Sequence, residues 1–378
     1  DASKGFIKDG NKNRLREQDI HKIVDTFNNR IETPKYSRII PVSEIADPKN
    51  DYNLNIPRYI DSQEEEDLQD IEAHLLGDIP NRDIDDLESY WKVYPTLRSA
   101  LFKPGTRANY SALCVAHDEI KNTIFNHPEF TAFGKKMNGV FNKWRTETAT
   151  YTRELDKGLK PKKEIHTISE NLLTHYDNKQ LTDPYAMYQH LMDYWAETMQ
   201  DDFYELAADG WKAGNGVKRI EKKSKKGDKE IIKQVAGIEG LEGTLIPPAL
   251  IIQEYFAKEQ KTIDELDAKA EALNANMDEL REEQGGEDGY FGDLEKISRV
   301  SVNGKLKIVN GELKMVNEEH SQLKSEADFY KEYLKLMDDE AEIQSKIKIA
   351  KAELEKKVIT RYPKLSIDEI KTIVTEKK

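Results

Sequence analysis

Few side chains in this sequence stand at spacings that do chemistry. Cys114 and His117 are three residues apart, a separation that on one helix face would set a thiol beside a base and favour the thiolate. The blander reading is a small buried thiol next to a surface histidine. His117-Asp118-Glu119-Ile120-Lys121 comes nearest to a zinc-protease helix and fails at the second histidine. Glu287-Asp288-Gly289 resembles part of a calcium loop without the other carboxylates at alternate positions. Gly210 is followed five residues later by Asn215, so the phosphate-cradling loop that ends in Gly-Lys-Ser/Thr is missing. Gly214-Asn215-Gly216 lacks the third glycine of a dinucleotide turn, and no Gly-x-Ser-x-Gly elbow occurs. No position is therefore assigned as catalytic, cofactor-binding or metal-ligating.

The elements around these residues are those of a charged, mostly helical chain. Charged residues are 34% of the 378 and apolar residues 37%, against about 25% charged in an average globular chain, so the core is small for the length. The 58 Lys and Arg against 71 Asp and Glu leave a net charge of −13, which excludes a general nucleic-acid coat but leaves room for a local basic patch. A single cysteine rules out an intramolecular disulfide and a cysteine-based zinc site. Nothing approaches the roughly 18 consecutive apolar residues of a membrane span, and no signal peptide opens the chain. The expectation is a cytoplasmic protein without a membrane partner. Because Asp1 and not Met comes first, a fragment of something longer is expected.

Residues 1–61 read as mixed α/β. Ile20, Ile23, Val24 and Phe27 mark one face of a helix over 17–28. Residues 36–42 form a short extended run. Tyr52, Leu54 and Ile56 alternate with Asn53 and Asn55 and predict an exposed or edge strand stopped by Pro57. The stretch is too short for an independent domain. Residues 62–245 read as helices, over 64–76 with Gly77 as C-cap, 85–94, 106–126, and onward from Asp183-Pro184. The last carries Met187, Leu191, Tyr194, Trp195, Met199 and Phe203, a stripe at core spacing. The acidic run Glu64, Glu65, Glu66 and Asp67 suits a helix N-terminus. Residues 218–229 hold seven basic and two acidic residues with no apolar periodicity, which predicts a mobile loop.

Residues 246–378 carry the clearest pattern. After Pro247-Pro248, Phe256, Ile263, Leu266, Ala270, Leu273, Met277 and Leu280 form a heptad seam with Glu259 as its polar member. Phe329, Tyr333, Leu336, Ile343, Ile347, Ala350 and Leu354 repeat it, with Glu340 polar. Leu306, Val309, Leu313 and Val316 take the same steps between them, weakened by Gly304 and Gly311. The fold class is mainly α, with a multi-helix region followed by a long antiparallel coiled-coil hairpin and a short α/β stretch at the start. Leu266, Leu273, Leu280, Ile343, Ile347 and Leu354 are the candidates for docking a partner.

Several segments resemble a known family. They are Asp1-Ala2-Ser3-Lys4, the turn Asn13-Arg14-Leu15, the helix Ile20-His21-Lys22-Ile23-Val24 and, most specifically, Asn50-Asp51-Tyr52-Asn53-Leu54-Asn55-Ile56-Pro57-Arg58-Tyr59-Ile60-Asp61. They look like the modification (M) subunit of type I restriction–modification systems. Residues 237–248 and the seam after them are similar to the long C-terminal tail of certain members, although any heptad helix would match the seam. The resemblance implies that residues 1–61 are the C-terminal remnant of a methyltransferase α/β domain, 62–245 a helical domain and 246–378 a coiled-coil arm.

Subunits of that family transfer a methyl group from S-adenosylmethionine to the exocyclic amine of adenine. They use a glycine-rich cofactor loop and an Asn-Pro-Pro-aromatic motif that holds the flipped base. Neither occurs here, and the sole Pro-Pro, Pro247-Pro248, follows Leu245-Ile246. The chain resembles the C-terminal part of such a subunit and is expected to be inactive alone, with no cofactor of its own and S-adenosylmethionine as the parent's. The implied partners are a specificity subunit, a restriction subunit and, in the assembled complex, DNA. By the same resemblance Asn53, Asn55, Arg58 and Tyr59 lie near the DNA side, where amides and guanidinium groups suit base edges and phosphates. A satisfied strand end is the structural alternative. Lys218, Arg219, Lys222, Lys223, Lys225 and Lys226 are candidate phosphate contacts, against a merely solvated loop. The runner-up for the whole chain is a free-standing coiled-coil scaffold or adaptor.

Overall fold

The computed structural model describes residues 2–3, 5–63, 68–226, 229–315 and 321–378, with side chains for all of these except 224–231. Asp1, Lys4, the acidic run Glu64, Glu65, Glu66 and Asp67, and Val316 of the middle seam lie outside the described residues, as do the side chains of Lys225 and Lys226. Helices dominate, with a few small sheets, and the chain divides into two units, Asp1–Ala208 and Asp209–Lys378. Among the described residues no helix is long and apolar enough to cross a membrane.

The first unit opens with an antiparallel pair, β1 (Ile7–Asp9) and β2 (Lys12–Arg14). Helix α1 (Glu17–Asn29) follows where the apolar spacing predicts it. Its N-terminus is tied by Asp19, whose carboxylate accepts the Arg16 backbone N–H at 2.9 Å. Its orientation departs from expectation. The apolar residues Ile20, Val24 and Phe27 are 44%, 50% and 82% exposed. The polar side instead packs on the helix Pro184–Tyr194, with the Tyr185 hydroxyl donating to Asp25 Oδ2 at 2.7 Å and the His21 ring stacked 4.5 Å from Tyr188.

Neither short strand expected before residue 61 forms. Residues 36–42 enter no ladder; a single bridge joins Thr33 to Ser37, and α2 (Val42–Ile45) starts directly after Pro41. At 52–56 the backbone turns, because Asp51 and Tyr52 take left-handed φ of 46° and 55°. Asn53 Oδ1 accepts the Asn55 N–H at 2.8 Å, and a 3₁₀ turn covers Ile56–Arg58. Local side-chain hydrogen bonding outcompetes the strand that alternation alone suggests.

Helix α3 (Ile71–Leu76) is capped by Asp70, which accepts the Ala73 N–H at 3.0 Å, and ends at Gly77 with φ 76°, the C-cap expected there. A three-stranded antiparallel sheet then orders β3 (Ile79–Pro80), β5 (Tyr110–Leu113) and β4 (Phe102–Pro104), with α4 (Asn81–Asp85), α5 (Glu88–Trp91) and α6 (Leu97–Leu101) in between. The single helix expected over 106–126 is thus a strand followed by α7 (Ile120–Asn126). The left-handed Asn109, φ 66°, turns the chain back so that β5 can pair with β4. Four longer helices close the unit: α8 (Pro128–Glu154), α9 (Pro161–Tyr176), α10 (Pro184–Tyr194) and α11 (Gln200–Asp209). Trp144, Ile168, Leu172, Tyr176, Leu191 and Phe203 make their core, with Met187, Trp195 and Met199 packed against it, so the Met and aromatic stripe is core apart from the exposed Tyr194.

The second unit begins with a buried turn, Gly210–Asn215. Here β6 (Val217–Arg219) pairs with β9 (Leu241–Gly243), and β7 (Glu221–Lys226) pairs with β8 (Lys229–Gln234). In place of the mobile loop expected over 218–229, residues 218–219 end β6, 221–226 form β7 and 229 opens β8, while Gly227 and Asp228 lie outside the described residues. The described side chains of this two-stranded β7–β8 ribbon, at 221–223 and 232–234, are all exposed, and the segment carries no apolar alternation to read. Helix α12 (Pro248–Tyr255) starts at the second proline and is followed by α13 (Ala257–Glu283), α14 (Arg299–Met315), α15 (Ser321–Arg361) and α16 (Ile367–Thr372).

Helix α13 lies antiparallel to α15. Glu259 pairs with Lys357 at 2.9 Å, Asp267 with Lys351 at 3.0 Å, and Arg281 Nε donates to the Tyr333 hydroxyl at 2.6 Å. Met277, Phe291, Val302, Val309, Ala327, Tyr330 and Tyr333 form one core cluster of this unit. Residues 210–215 are locked elsewhere. The Asn215 amide donates to the carbonyls of Tyr362 and Leu365 at 2.7 and 2.9 Å, and the Tyr362 hydroxyl donates to the Ile246 carbonyl at 2.6 Å.

Candidate nucleic-acid interface

The Asn53–Tyr59 group is largely turned on itself. Asn53 holds the Asn55 backbone, the Tyr59 hydroxyl donates to the Asn53 carbonyl at 2.5 Å, and Arg58 Nη1 donates to the Lys49 carbonyl at 2.7 Å. The structure brings these four side chains to one exposed turn, with only Tyr59 half-buried. Three of the four residues are used in shaping the turn, and the Asn55 amide stands exposed.

The basic group splits in two. Arg219 is a clamp at the root of the ribbon: its Nη1 donates to the carbonyls of Val235 and Gly237 at 3.2 and 3.0 Å, and its Nη2 pairs with Glu355 on α15. It is half-buried and committed to these partners. Lys218 is exposed and stands opposite Glu242 in the β6–β9 register. Lys222 and Lys223 are exposed on consecutive positions of β7, opposite Lys233 and Ile232 respectively. The register also sets Lys225 opposite Glu230 and Lys226 opposite Lys229. Lys233 thus joins the basic group of 218–229, which composition alone could not show because it does not give the register.

The docking candidates sit between the chain's own helices. Ile347 and Leu354 are 5% and 1% exposed, and Leu266, Leu273, Leu280 and Ile343 are half-buried. Outward apolar residues of this unit lie on α14, where Val300, Ile308 and Met315 are exposed, and also at Ile232 on β8, Ile349 and Ile359 on α15 and Ile367 on α16.

The remaining sequence features are structural. Cys114 is exposed and follows strand β5, so it shares no helix face with His117 and the thiolate pair does not form. Among the described residues no group of three or more His, Cys, Asp or Glu gathers where a metal could sit. A Cβ on Gly214 would stand 2.5 Å from Ile370 Cγ2, so its bareness serves packing. A shallow cleft is lined by Phe256, Glu353, Lys356, Lys357, Thr360, Arg361 and Lys364. Two of its cations are answered, Lys357 by Glu259 and Arg361 by Glu369. The Glu369 carboxyl is held below the usual carboxylate range, first by the Ser366 backbone N–H.

Comparison with known proteins agrees with the sequence resemblance at the N-terminus. Residues 1–68 match the N-6 DNA methylase family. A stretch of 63 residues is 41% identical to the type I restriction enzyme MjaVII methylase subunit of Methanocaldococcus jannaschii, covering 17% of this chain and 11% of that protein. A stretch of 87 residues is 29% identical to the type I restriction enzyme MpnII methylase subunit of Mycoplasma pneumoniae, covering 22% of this chain and 16% of that protein. The matches thus span only a small part of either relative's length. No solved structure matches the chain. The chain is thus similar, over its first 68 residues, to the N-6 DNA methylase family and, over short stretches, to methylase subunits of type I restriction enzymes.

Proposed function

We propose that the chain works as part of the methylation subunit of a type I restriction–modification system, an S-adenosylmethionine-dependent adenine-specific DNA methyltransferase. In this reading residues 1–61 complete a methyltransferase domain whose cofactor loop and Asn-Pro-Pro-aromatic motif are not among these 378 residues. Residues 62–245 are read as a mainly helical body, of which 209–245, with its strands, belongs to the second unit, and 246–378 as a coiled-coil arm that assembles with the specificity subunit, to which the restriction subunit is added on DNA.

One observation carries the reading. Within the segment matched to the methylases, α1 turns Ile20, Val24 and Phe27 to solvent while its polar side is packed. An apolar helix face is normally the buried one, each such side chain contributing roughly 1.5–3 kcal/mol when covered. The exposed stripe fits a surface that a methylase core covers.

The test supplies a methylase core as a separate polypeptide. Mixed with this chain, it is expected to co-purify and to methylate adenine in DNA. Val24→Asp with Phe27→Asp should abolish both while the helicity of this chain is unchanged. A core that binds the double variant as well as the parent would overturn the reading.

A further inference from the structure

The ribbon β7–β8 has two chemically different faces. Its register sets Lys222 opposite Lys233, Ser224 opposite Ile231 and Lys226 opposite Lys229. Residues two apart along a strand share a face. These six positions therefore make one face, with four lysines and no carboxylate. The other face holds Glu221, Lys223, Lys225, Glu230, Ile232 and Gln234, so both acids of the two strands are on it.

Like charges directly opposite one another destabilise a strand pair. This chain carries 71 acidic residues, so carboxylates that could answer the lysines are not scarce. The register nevertheless sets two Lys–Lys pairs at positions of one face. The pairs are four residues apart, about 13 Å at 3.2–3.4 Å per residue, close to the roughly 13.6 Å that four phosphates advance along one DNA strand. The root is held in place by the Arg219 clamp, by the Ile220 N–H donating to the Gly240 carbonyl at 2.9 Å, and by the Val235 N–H donating to the Ile220 carbonyl at 2.9 Å. A two-stranded ribbon is also narrow enough for the major groove, about 12 Å wide.

We infer that the face carrying Lys222, Lys226, Lys229 and Lys233 binds the phosphate backbone of duplex DNA. The choice of DNA among polyanions rests on the reading of the chain as part of a DNA methylation subunit. Lys218 and Lys223 lie off this face, and Arg219 positions the ribbon without touching phosphate.

The experiment measures binding of the full chain to a labelled duplex between 50 and 200 mM salt. Neutralising Lys222 and Lys233 together as K222Q/K233Q removes two contacts. The slope of log K against log salt should then fall by about 1.8, and the affinity lost across that range should shrink by about 12-fold. The charge-matched pair K218Q/K223Q should leave the slope unchanged, and K222R/K233R should restore it. Equal losses in both Gln pairs would reduce the effect to net charge and overturn the inference. So would no binding by the parent chain at 50 mM, or poly-glutamate bound as tightly as DNA through the same lysines. Complementation of a methylase core without this salt response would remove the DNA face and leave the methylation-subunit reading standing; the salt response without complementation would do the reverse.

Discussion

Two charged residues show how differently one residue type can be used here. Asp19 is nearly buried at the start of α1 and accepts three hydrogen bonds from Arg16, one from the backbone N–H and two from the guanidinium at 2.9 and 3.0 Å. The Arg16 side chain, ahead of the other causes, holds its carboxyl below the usual range. A carboxyl lowered in the folded state stabilises fully above its unfolded value, and this is lost as pH falls through the folded one. Asp19→Asn should therefore cost about 1 kcal/mol at neutral pH and flatten the loss of stability below about pH 4, read from urea midpoints across pH. Arg219→Gln should cost about 1–3 kcal/mol, because Glu355 and two carbonyls lose their donor, and hydrogen exchange should show the ribbon opening at its root. At Lys222 or Lys223 the same change should leave stability within about 0.5 kcal/mol.

Elements were legible where burial imposed a period. The heptad steps from Phe256 to Leu280 and from Phe329 to Leu354 fall on buried or half-buried positions throughout. The Met and aromatic stripe of α10 and α11 was readable for the same reason. The ribbon was not, since its described side chains are exposed and Lys-rich strands look like a loop. Nor was the turn at 51–58, where Asn53 and the left-handed Asp51 and Tyr52 decide the backbone locally. For α1 the helix could be read but not which side would be covered. The packing separates two substitutions. Ile347→Asp puts a charge between α13 and α15 and should lower the helicity and thermal midpoint of the isolated chain. Ile308→Asp, on the exposed side of α14, should leave both unchanged and weaken co-purification with the specificity subunit. Retained co-purification would exclude α14 as the assembly surface.

At the scale of the molecule, the likeness to methylase subunits covers a small share of the sequence. The matched stretches cover 17% and 22% of the chain, and no catalytic motif appears in the whole of it. Purified chain incubated with S-adenosylmethionine and adenine-containing DNA should transfer no methyl group above a no-protein control, and calorimetry should detect no cofactor binding. The candidate nucleic-acid residues were only partly legible. The basic composition of 218–229 marked the segment that carries most of the proposed phosphate-binding face. The division between a structural Arg219 and two differently charged faces needed the strand register.

The buried glycine turn also sets an order of events in time. Gly214 packs on Ile370, and Asn215 holds Tyr362 and Leu365, so this contact joins parts of the chain roughly 150 residues apart. Closing a loop of that length costs about 4–5 kcal/mol in chain entropy before any packing offsets it. On a ribosome adding about 5–20 residues per second, some 8–30 s pass between the synthesis of Gly214 and that of Ile370. For the later part of that interval the turn and the ribbon root have left the exit tunnel while their partner surface is not yet made. The α13–α14 segment can form in the meantime, and the buried face of residues 210–215 is the part of this unit most in need of chaperone cover.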